Sequence, residues 1–199
     1  MVDTLLCKIL GQKARWFQLH AVTNAYIVYQ TKDNLYNLLI APIHTMGQGV
    51  DRTPILLIIS LHVYHMIFFH LTYMDYIHHI SSVFLGGVPA LLYGYNKTLN
   101  GVSFFVCGLP GCIDYICLTA VKHNRMLKIT EKKINSYLNS YIRMPGILYC
   151  VFLNMMAVSY ELDPYTPIWI SRYLSVLFCW NAIYFNYLSI YNYGVHDNN

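Results

Sequence analysis

The stretch of the chain best equipped for chemistry runs from Leu61 to Phe84, LHVYHMIFFHLTYMDYIHHISSVF. It carries one acid, Asp75, and five of the nine histidines, which are His62, His65, His70, His78 and His79. The residues between them are mostly apolar, and a buried polar group costs roughly 2–7 kcal/mol unless it is satisfied. Ionisable groups inside an apolar span therefore indicate a functional site by default.

The acid of this stretch lies three and four residues before the adjacent histidine pair His78–His79, a spacing at which helix side chains meet. A carboxylate at Asp75 can fix the tautomer of an imidazole and raise its basicity. We therefore predict that the pair forms the centre of a site and that an acid orients one of its rings.

The composition indicates an integral membrane protein. Of the 199 residues, 56% are hydrophobic, 16% aromatic and only 11% charged, whereas soluble domains carry about 25% charged residues. Too few charges exist to cover a surface in water, and the abundant tyrosines suit membrane interfaces. We expect no nucleic-acid partner, because the net charge of +4 forms no basic face interleaved with exposed aromatic residues.

The chain lacks the usual signs of secretion, disulfides and metal binding. At the amino terminus, the charges follow the short apolar run instead of preceding it, which is not typical of a secretory signal. The six cysteines form no CxxC pair, so we interpret them as apolar packing residues. No metal site and no resident cofactor are expected.

Apolar runs and turn residues predict an all-α fold, a single domain of about six transmembrane helices. Pro54 suits the first turn of a helix, and Gly108, Pro110 and Gly111 are expected to kink the fourth span. The hydrophilic residues 122–144 place apolar side chains at helical spacing, which predicts an amphipathic segment on the cytosolic interface. The predicted spans are 14–30, 54–71, 75–93, 102–121, 145–159 and 168–191.

Basic residues predict the orientation. With six spans, one side of the membrane holds Lys8, Lys13, Arg15, Lys122, Arg125, Lys128, Lys132, Lys133 and Arg143, and the other holds Lys32, Arg52, Lys97 and Arg172. The positive-inside rule then puts both termini in the cytosol. The sequon Asn96-Lys97-Thr98 falls on the lumenal side, in a loop too short for us to expect a glycan.

This topology brings polar residues of four spans to one depth, about 5–11 Å inside the cytosolic boundary at 1.5 Å per residue. Our candidates for catalysis are His78, His79, Asp114 and Asp75, and our candidates for binding substrate are His20, Asn24 and His65. His62 shares a helix face with His65, and a core role for both is the alternative.

Five blocks of the chain resemble the TLC-domain family (TRAM–Lag–CLN), polytopic proteins of the endoplasmic reticulum that include ceramide synthases. They are ARWFQLHAVTN (14–24), LHVYHMIFF (61–69), DYIHH (75–79), GLPGCIDYICLTAVKHN (108–124) and EKKINSYLNSYIRMPG (131–146). The family's most telling element is an adjacent histidine pair followed by an acid in the next span, carried here by His78, His79 and Asp114. Only one acid lies in the span after the pair, and the chain is short, so it resembles the small TLC proteins more than full ceramide synthases. The resemblance implies the endoplasmic reticulum or a related endomembrane as the location.

Three functions are consistent with these residues. In the first, the resemblance implies a lipid acyltransferase in which a histidine of the pair acts as base or transient acyl acceptor, with acyl-CoA as co-substrate. The second is a non-catalytic lipid-binding protein that regulates membrane composition. The third is a histidine-ligated di-iron oxygenase, which the lack of a third histidine box disfavours. Membrane lipids are the predicted partners, and assembly into a homo-oligomer is left open.

Overall fold

The computed structural model describes residues 2–197, which fold into helices joined by short turns. The helices are α1 (Val2–Leu10), α2 (Arg15–Ile40), α3 (Pro42–Met46), α4 (Thr53–Phe68), α5 (73–93), α6 (Thr98–Lys122), α7 (Lys128–Ser159) and α8 (Ile168–Asp197). No β-strand occurs in this part of the chain, where the only extended pairing is an isolated bridge between Gly49 and Asn96. The prediction of an all-α fold is confirmed.

Local sequence signals account for several helix ends. Pro54 lies in the first turn of α4, where the missing N–H would have no helical partner. Gly11 follows α1 with a φ of 81°, the left-handed conformation that glycine adopts without strain. A capping box begins α5: the Thr72 hydroxyl accepts from the Asp75 N–H, and the Asp75 carboxylate accepts from the Thr72 N–H at 2.8 Å.

Two helices are long and apolar enough to cross a membrane. They are α6 and α7, with 25 and 32 residues, and the most apolar windows of these helices are only 22% and 39% buried inside the fold. A core helix of a soluble protein would be mostly buried, so these exposed apolar faces favour association with a membrane. Helix α4 is equally apolar in character but has only 16 residues.

The helix α7 differs from the expectation for residues 122–144. Instead of a separate interfacial segment followed by a span, one continuous helix runs from Lys128 to Ser159. Pro145 does not break it, because a π-helical segment, Asn139–Arg143, ends two residues before the proline and changes the hydrogen-bond register there. The predicted boundary near residue 145 is therefore absent.

The bundle is held by three buried apolar clusters. One joins α4, α5, α6 and α8 and consists of Ile55, Ala90, Leu99, Ile170 and Leu174. Another joins α2, α3 and α7 through Leu38, Met46, Leu153 and Ala157. The third joins α7 and α8 through Ile147, Val151 and Ala182. Helix α2 also packs along α6, so residues near the start of α2 lie close to the end of α6.

One end of the bundle is closed by the amino-terminal helix. The Arg15 Nε donates to the Asp3 carboxylate at 2.8 and 2.9 Å, and the Tyr64 hydroxyl donates to the same carboxylate at 2.5 Å. The Lys122 ammonium lies 5.9 Å from the centre of the Phe17 ring. These contacts bring the ends of α4 and α6 together with the start of α2.

The opposite end of the bundle contains a cluster of hydrogen-bonded polar side chains around Asn96, which precedes α6. We call it the polar cluster. The Asn96 Nδ2 donates to the Asn154 Oδ1 at 3.0 Å and to the Asp163 carboxylate at 2.9 Å. The Asn96 Oδ1 accepts from the Thr98 N–H at 3.0 Å. The Thr166 hydroxyl donates to Asp163 at 2.5 Å. Only 2% of Asn96 is exposed, so this end of the bundle is closed by side-chain hydrogen bonds.

Candidate functional site

Two cavities meet inside the bundle. The first, which we call the chamber, has a volume of about 140 Å³ and apolar walls that include Ile55, Ala90, Leu99, Val102 and Leu177. The second, the vestibule, has a volume of about 340 Å³ and is lined by polar residues that include Asp114, Lys132, Asn135, Asn139 and Asn192. Both cavities are bounded by His78, Val106, Gly111, Tyr115 and Arg143, and we call this shared wall the junction.

The chamber lies alongside α5. It extends along α5 from His78 to Ala90, twelve residues that correspond to about 18 Å of helix. Its volume is close to the roughly 150 Å³ of an apolar cavity that holds one benzene ring. A short hydrocarbon segment of about six carbons therefore fills the chamber, and a bulky fused ring system does not fit.

His78 belongs to a directed chain of hydrogen bonds at the junction. The His62 Nδ1 lies 2.7 Å from the Ile58 carbonyl oxygen, the His62 Nε2 lies 3.2 Å from the His78 Nε2, and the Ser82 hydroxyl lies 3.3 Å from the His78 Nδ1. Because a carbonyl oxygen only accepts, His62 must carry its proton on Nδ1.

The tautomer of His78 follows from that of His62. With both rings neutral, the His62 Nε2 is an acceptor and the His78 Nε2 carries the proton that it accepts. The His78 Nδ1 is then bare and accepts from the Ser82 hydroxyl. The arrangement places a basic ring nitrogen beside a hydroxyl group, which is the pairing that general-base catalysis needs.

The second histidine of the pair lies in a different environment. The His79 Nε2 is 3.1 Å from the His65 Nδ1, and the His65 ring stacks on Trp16 with the ring centres 3.7 Å apart. His79 is buried, with 2% exposure, and neither it nor His65 lines the chamber or the vestibule. Adjacent residues of a helix point about 100° apart, so only His78 of the pair reaches the junction.

The two candidates on α2 both line the chamber. The His20 ring stacks on Tyr115 with the ring centres 4.1 Å apart, and its buried Nε2 has no hydrogen-bond partner among the described residues. The Asn24 side chain lies against Gly111, where an added Cβ would stand 2.6 Å from the Asn24 Nδ2. The structure thus brings His20 and Asn24 to the same cavity as His78.

The two predicted acids are placed away from the histidine pair. The Asp75 carboxylate accepts from the backbone and the hydroxyl of Thr72, at 2.8 and 2.7 Å, because it caps its own helix. Asp114 lines the vestibule and accepts from the Asn135 amide at 2.5 Å. Neither acid is hydrogen-bonded to a histidine, and the ring that contacts His78 is His62 instead.

Two residues of the junction region were not predicted from the sequence. Ser82 lies four residues after His78 on the same helix, so the spacing that pointed to Asp75 also pointed to Ser82. Arg143 was assigned to the cytosolic segment, yet it is buried at the junction. The sequence around Arg143 does not predict that its side chain is buried, because it does not predict that α7 continues through residue 145.

Each of the three π-helical segments contributes to the cavities. The segments are Ile80–Gly87, Phe104–Gly108 and Asn139–Arg143, and they supply Ser82, Cys107 and Arg143 respectively to the cavity walls. Such segments widen a helix by one residue per turn and occur frequently at functional sites. The second of them contains part of the GLPG stretch, where the sequence predicted a kink.

The arrangement of the described side chains does not favour a metal centre. Within residues 2–197, no three His, Cys, Asp or Glu side chains are placed to hold a metal ion. Four of the nine histidines bond to one another in two pairs, His62 with His78 and His65 with His79, whereas a di-iron site needs several imidazoles directed at one point.

Comparison with protein-family models, with curated proteins and with solved structures finds no match for this chain. The resemblance to TLC-domain proteins therefore remains a prediction, and the function has to be argued from the cavities and their residues.

Proposed function

We propose that the chain is a multi-pass protein of an endomembrane, such as the endoplasmic reticulum, that binds a lipid and transfers an acyl group from acyl-CoA to it. The observation that carries this proposal is the meeting of an apolar chamber and a polar vestibule at His78. An amphiphile has the same two parts, so its chain would occupy the chamber while its polar end reaches the vestibule. The reacting bond would then lie beside His78.

In this proposal all six long helices cross the bilayer, although α6 and α7 alone meet the criterion of length and apolarity. The six helices follow one another in alternating directions between the two ends of the bundle described above. Helix α4 would be only about 24 Å long at 1.5 Å per residue. A bilayer core of about 30 Å would therefore have to thin locally around it.

The chemistry proposed for His78 is general-base catalysis of acyl transfer from acyl-CoA. The His78 Nδ1 accepts the proton of the attacking hydroxyl or amine while the new bond to the acyl carbon forms. The bond to sulfur breaks as the carbonyl re-forms, and the proton passes from His78 to the departing thiolate. Lys132 in the vestibule wall would attract the phosphates of coenzyme A.

The hydrogen bonds behind His78 support this role. As His78 gains a proton, its Nε2–H continues to donate to His62, whose Nδ1–H is held by the Ile58 carbonyl. A second imidazole thus orients the base in place of the carboxylate found in many catalytic triads. Ser82 would hold the bare Nδ1 in the absence of substrate and release it when the substrate hydroxyl arrives.

A non-catalytic lipid-binding protein is the second candidate. It is favoured by the placement of Asp75 and Asp114, neither of which is bonded to His78. Such a protein would use the same cavities without a reaction, and the histidines would serve only to satisfy one another inside the bundle.

The test compares His78→Gln with His79→Gln, adjacent histidines of which only the first faces the cavities. Each variant is expressed in cells and scored separately for folded yield and for changes in the cellular lipids against the wild type. We expect His78→Gln to fold and to lower turnover by about 10²–10⁴-fold, the usual loss of a general base. His79→Gln should lower yield while the remaining folded protein keeps its turnover. Unchanged lipids in folded His78→Gln would leave the lipid-binding candidate.

A further inference from the structure

We infer that Arg143 binds the anionic group of the lipid, a carboxylate or a phosphate, at the junction between the chamber and the vestibule. The inference rests on the proposed function, since it assumes that an amphiphile occupies both cavities. It adds the chemical class of the ligand, a single hydrocarbon chain that ends in an oxyanion.

The first ground is burial of a charge without a counter-ion. Arg143 is only 9% exposed, and no aspartate or glutamate of residues 2–197 forms an ion pair with it. A buried charge with no opposite charge beside it is strongly unfavourable, so buried arginines are normally paired. Asp114, the acid that shares the vestibule, is instead bonded to Asn135.

The second ground is the way in which the guanidinium group is held. Its Nε donates to the Val106 carbonyl at 3.3 Å and its Nη2 donates to the Asn181 Oδ1 at 2.6 Å. The guanidinium carbon lies 5.2 Å from the centre of the Phe185 ring, within the range of a cation–π contact. Three neighbours thus fix the plane of the group before any ligand arrives.

The third ground is an unused pair of donors. The Arg143 Nη1 is buried and has no hydrogen-bond partner in the described part of the chain, although it carries two N–H groups. Arg143 bounds both cavities, so a ligand at the junction would lie beside the side chain that carries these donors. A planar guanidinium matches the paired oxygens of a carboxylate or a phosphate.

The apolar walls of the chamber determine which class of anion binds at these donors. An inorganic anion would gain nothing from apolar walls, whereas a hydrocarbon chain in the chamber brings its own head group to the junction. A free fatty acid and a lysophosphatidate share this chemistry. A monoacylglycerol of the same chain length has the chain without the charge, and it therefore serves as the neutral probe.

The experiment measures equilibrium binding of these three lipids, each with an eight-carbon chain to suit the small volume of the chamber, to the purified full chain in a neutral detergent. We expect the wild type to bind at least one anionic lipid roughly 10- to 100-fold more tightly than the monoacylglycerol, as hydrogen bonds to a charged group imply. Arg143→Gln should remove that preference and leave the affinity for the monoacylglycerol unchanged. The control is Arg172→Gln, which changes an exposed arginine outside both cavities and should keep the preference.

Preference for the fatty acid identifies a carboxylate as the ligand, and preference for the lysophosphatidate identifies a phosphate. Equal affinity of the wild type for all three lipids would overturn the role of Arg143 but leave the proposed function standing. Failure of the wild type to bind any of them would overturn the proposed function. If Arg143→Gln does not fold, Arg143→Lys decides, since it keeps the charge but loses the planar fork and should weaken the preference.

Discussion

At the scale of single residues, the site depends on which side chains share a wall, and the adjacent pair shows how fine that distinction is. His78 and His79 have the same chemistry and neighbouring positions, but one bounds both cavities and the other packs against His65. The hydroxyl of Ser82 and the ring of His62 complete the environment of His78. The sequence predicted a functional role for the histidine pair, but not for Ser82 or for His62 as the partner of His78.

Gly111 provides a test of the junction at this scale. An added Cβ would stand 2.6 Å from the Asn24 Nδ2, so the buried Asn24 side chain would have to leave its position and shift along the chamber that it lines. We predict that Gly111→Ala lowers the free energy of unfolding in detergent by about 1–3 kcal/mol, the usual cost of overpacking.

Gly194→Ala is the matched control for that substitution. Gly194 also lies in a helix, and the space where its Cβ would stand is open. Alanine should therefore raise the free energy of unfolding by about 0.5–1 kcal/mol, because glycine is the poorer helix former. A loss of stability in both variants, of similar size, would contradict the close contact between Gly111 and Asn24.

At the scale of helices, α1 is attached to the bundle through Asp3. The hydrogen bond from Arg15 lowers the pKa of the Asp3 carboxyl from 3.8 to about 2. Because the folded-state value is the lower one, this attachment is complete above pH 3.8 and is lost as the pH falls through about 2. We predict that amides of residues 2–10 lose protection from hydrogen exchange, after correction for the intrinsic rate, between pH 4 and pH 2.

The control for this pH dependence replaces the acid. Asp3→Asn should leave α1 weakly protected at every pH, and Asp33→Asn should behave as the wild type because Asp33 contacts only the exposed Lys32. Protection of α1 that stays unchanged in Asp3→Asn would show that apolar contacts alone hold the helix.

The helices also show what the sequence could and could not predict. Apolar runs and prolines predicted a helix for each of the six long ones, and the start of α4 at Thr53 lies one residue from the predicted Pro54. The π-helical segments were not predicted, because no residue pattern distinguishes them from α-helix. They determine how residues on either side are rotated, so the burial of Arg143 could not be foreseen either.

At the scale of the whole molecule, the proposed topology makes a prediction about accessibility. Arg125 lies in the turn between α6 and α7, and Arg52 lies at the other end of the bundle just before α4; both are exposed. In a background without the native cysteines, Arg125→Cys should react with an impermeant maleimide from the cytosolic side, and Arg52→Cys only after the membrane is opened.

The reverse pattern of labelling would place the vestibule on the lumenal side. Acyl-CoA is cytosolic, so that result would contradict the proposed acyl donor while leaving lipid binding intact. Labelling of both cysteines from the cytosolic side would contradict the six-span arrangement itself.

The polar cluster around Asn96 has a consequence for the biosynthesis of the chain. Asn96 is the acceptor of the sequon Asn96-Lys97-Thr98, but in the folded protein its amide is bonded to Asn154 and Asp163. A glycan on that nitrogen is incompatible with the polar cluster, so only chains that have not yet folded could receive one. In the proposed topology this loop faces the lumen, so the glycosylated fraction would measure how long the loop stays open after synthesis. We expect little glycosylation of the wild type and, in Asp163→Ala, a slower band on gels that a glycosidase removes and Thr98→Ala abolishes.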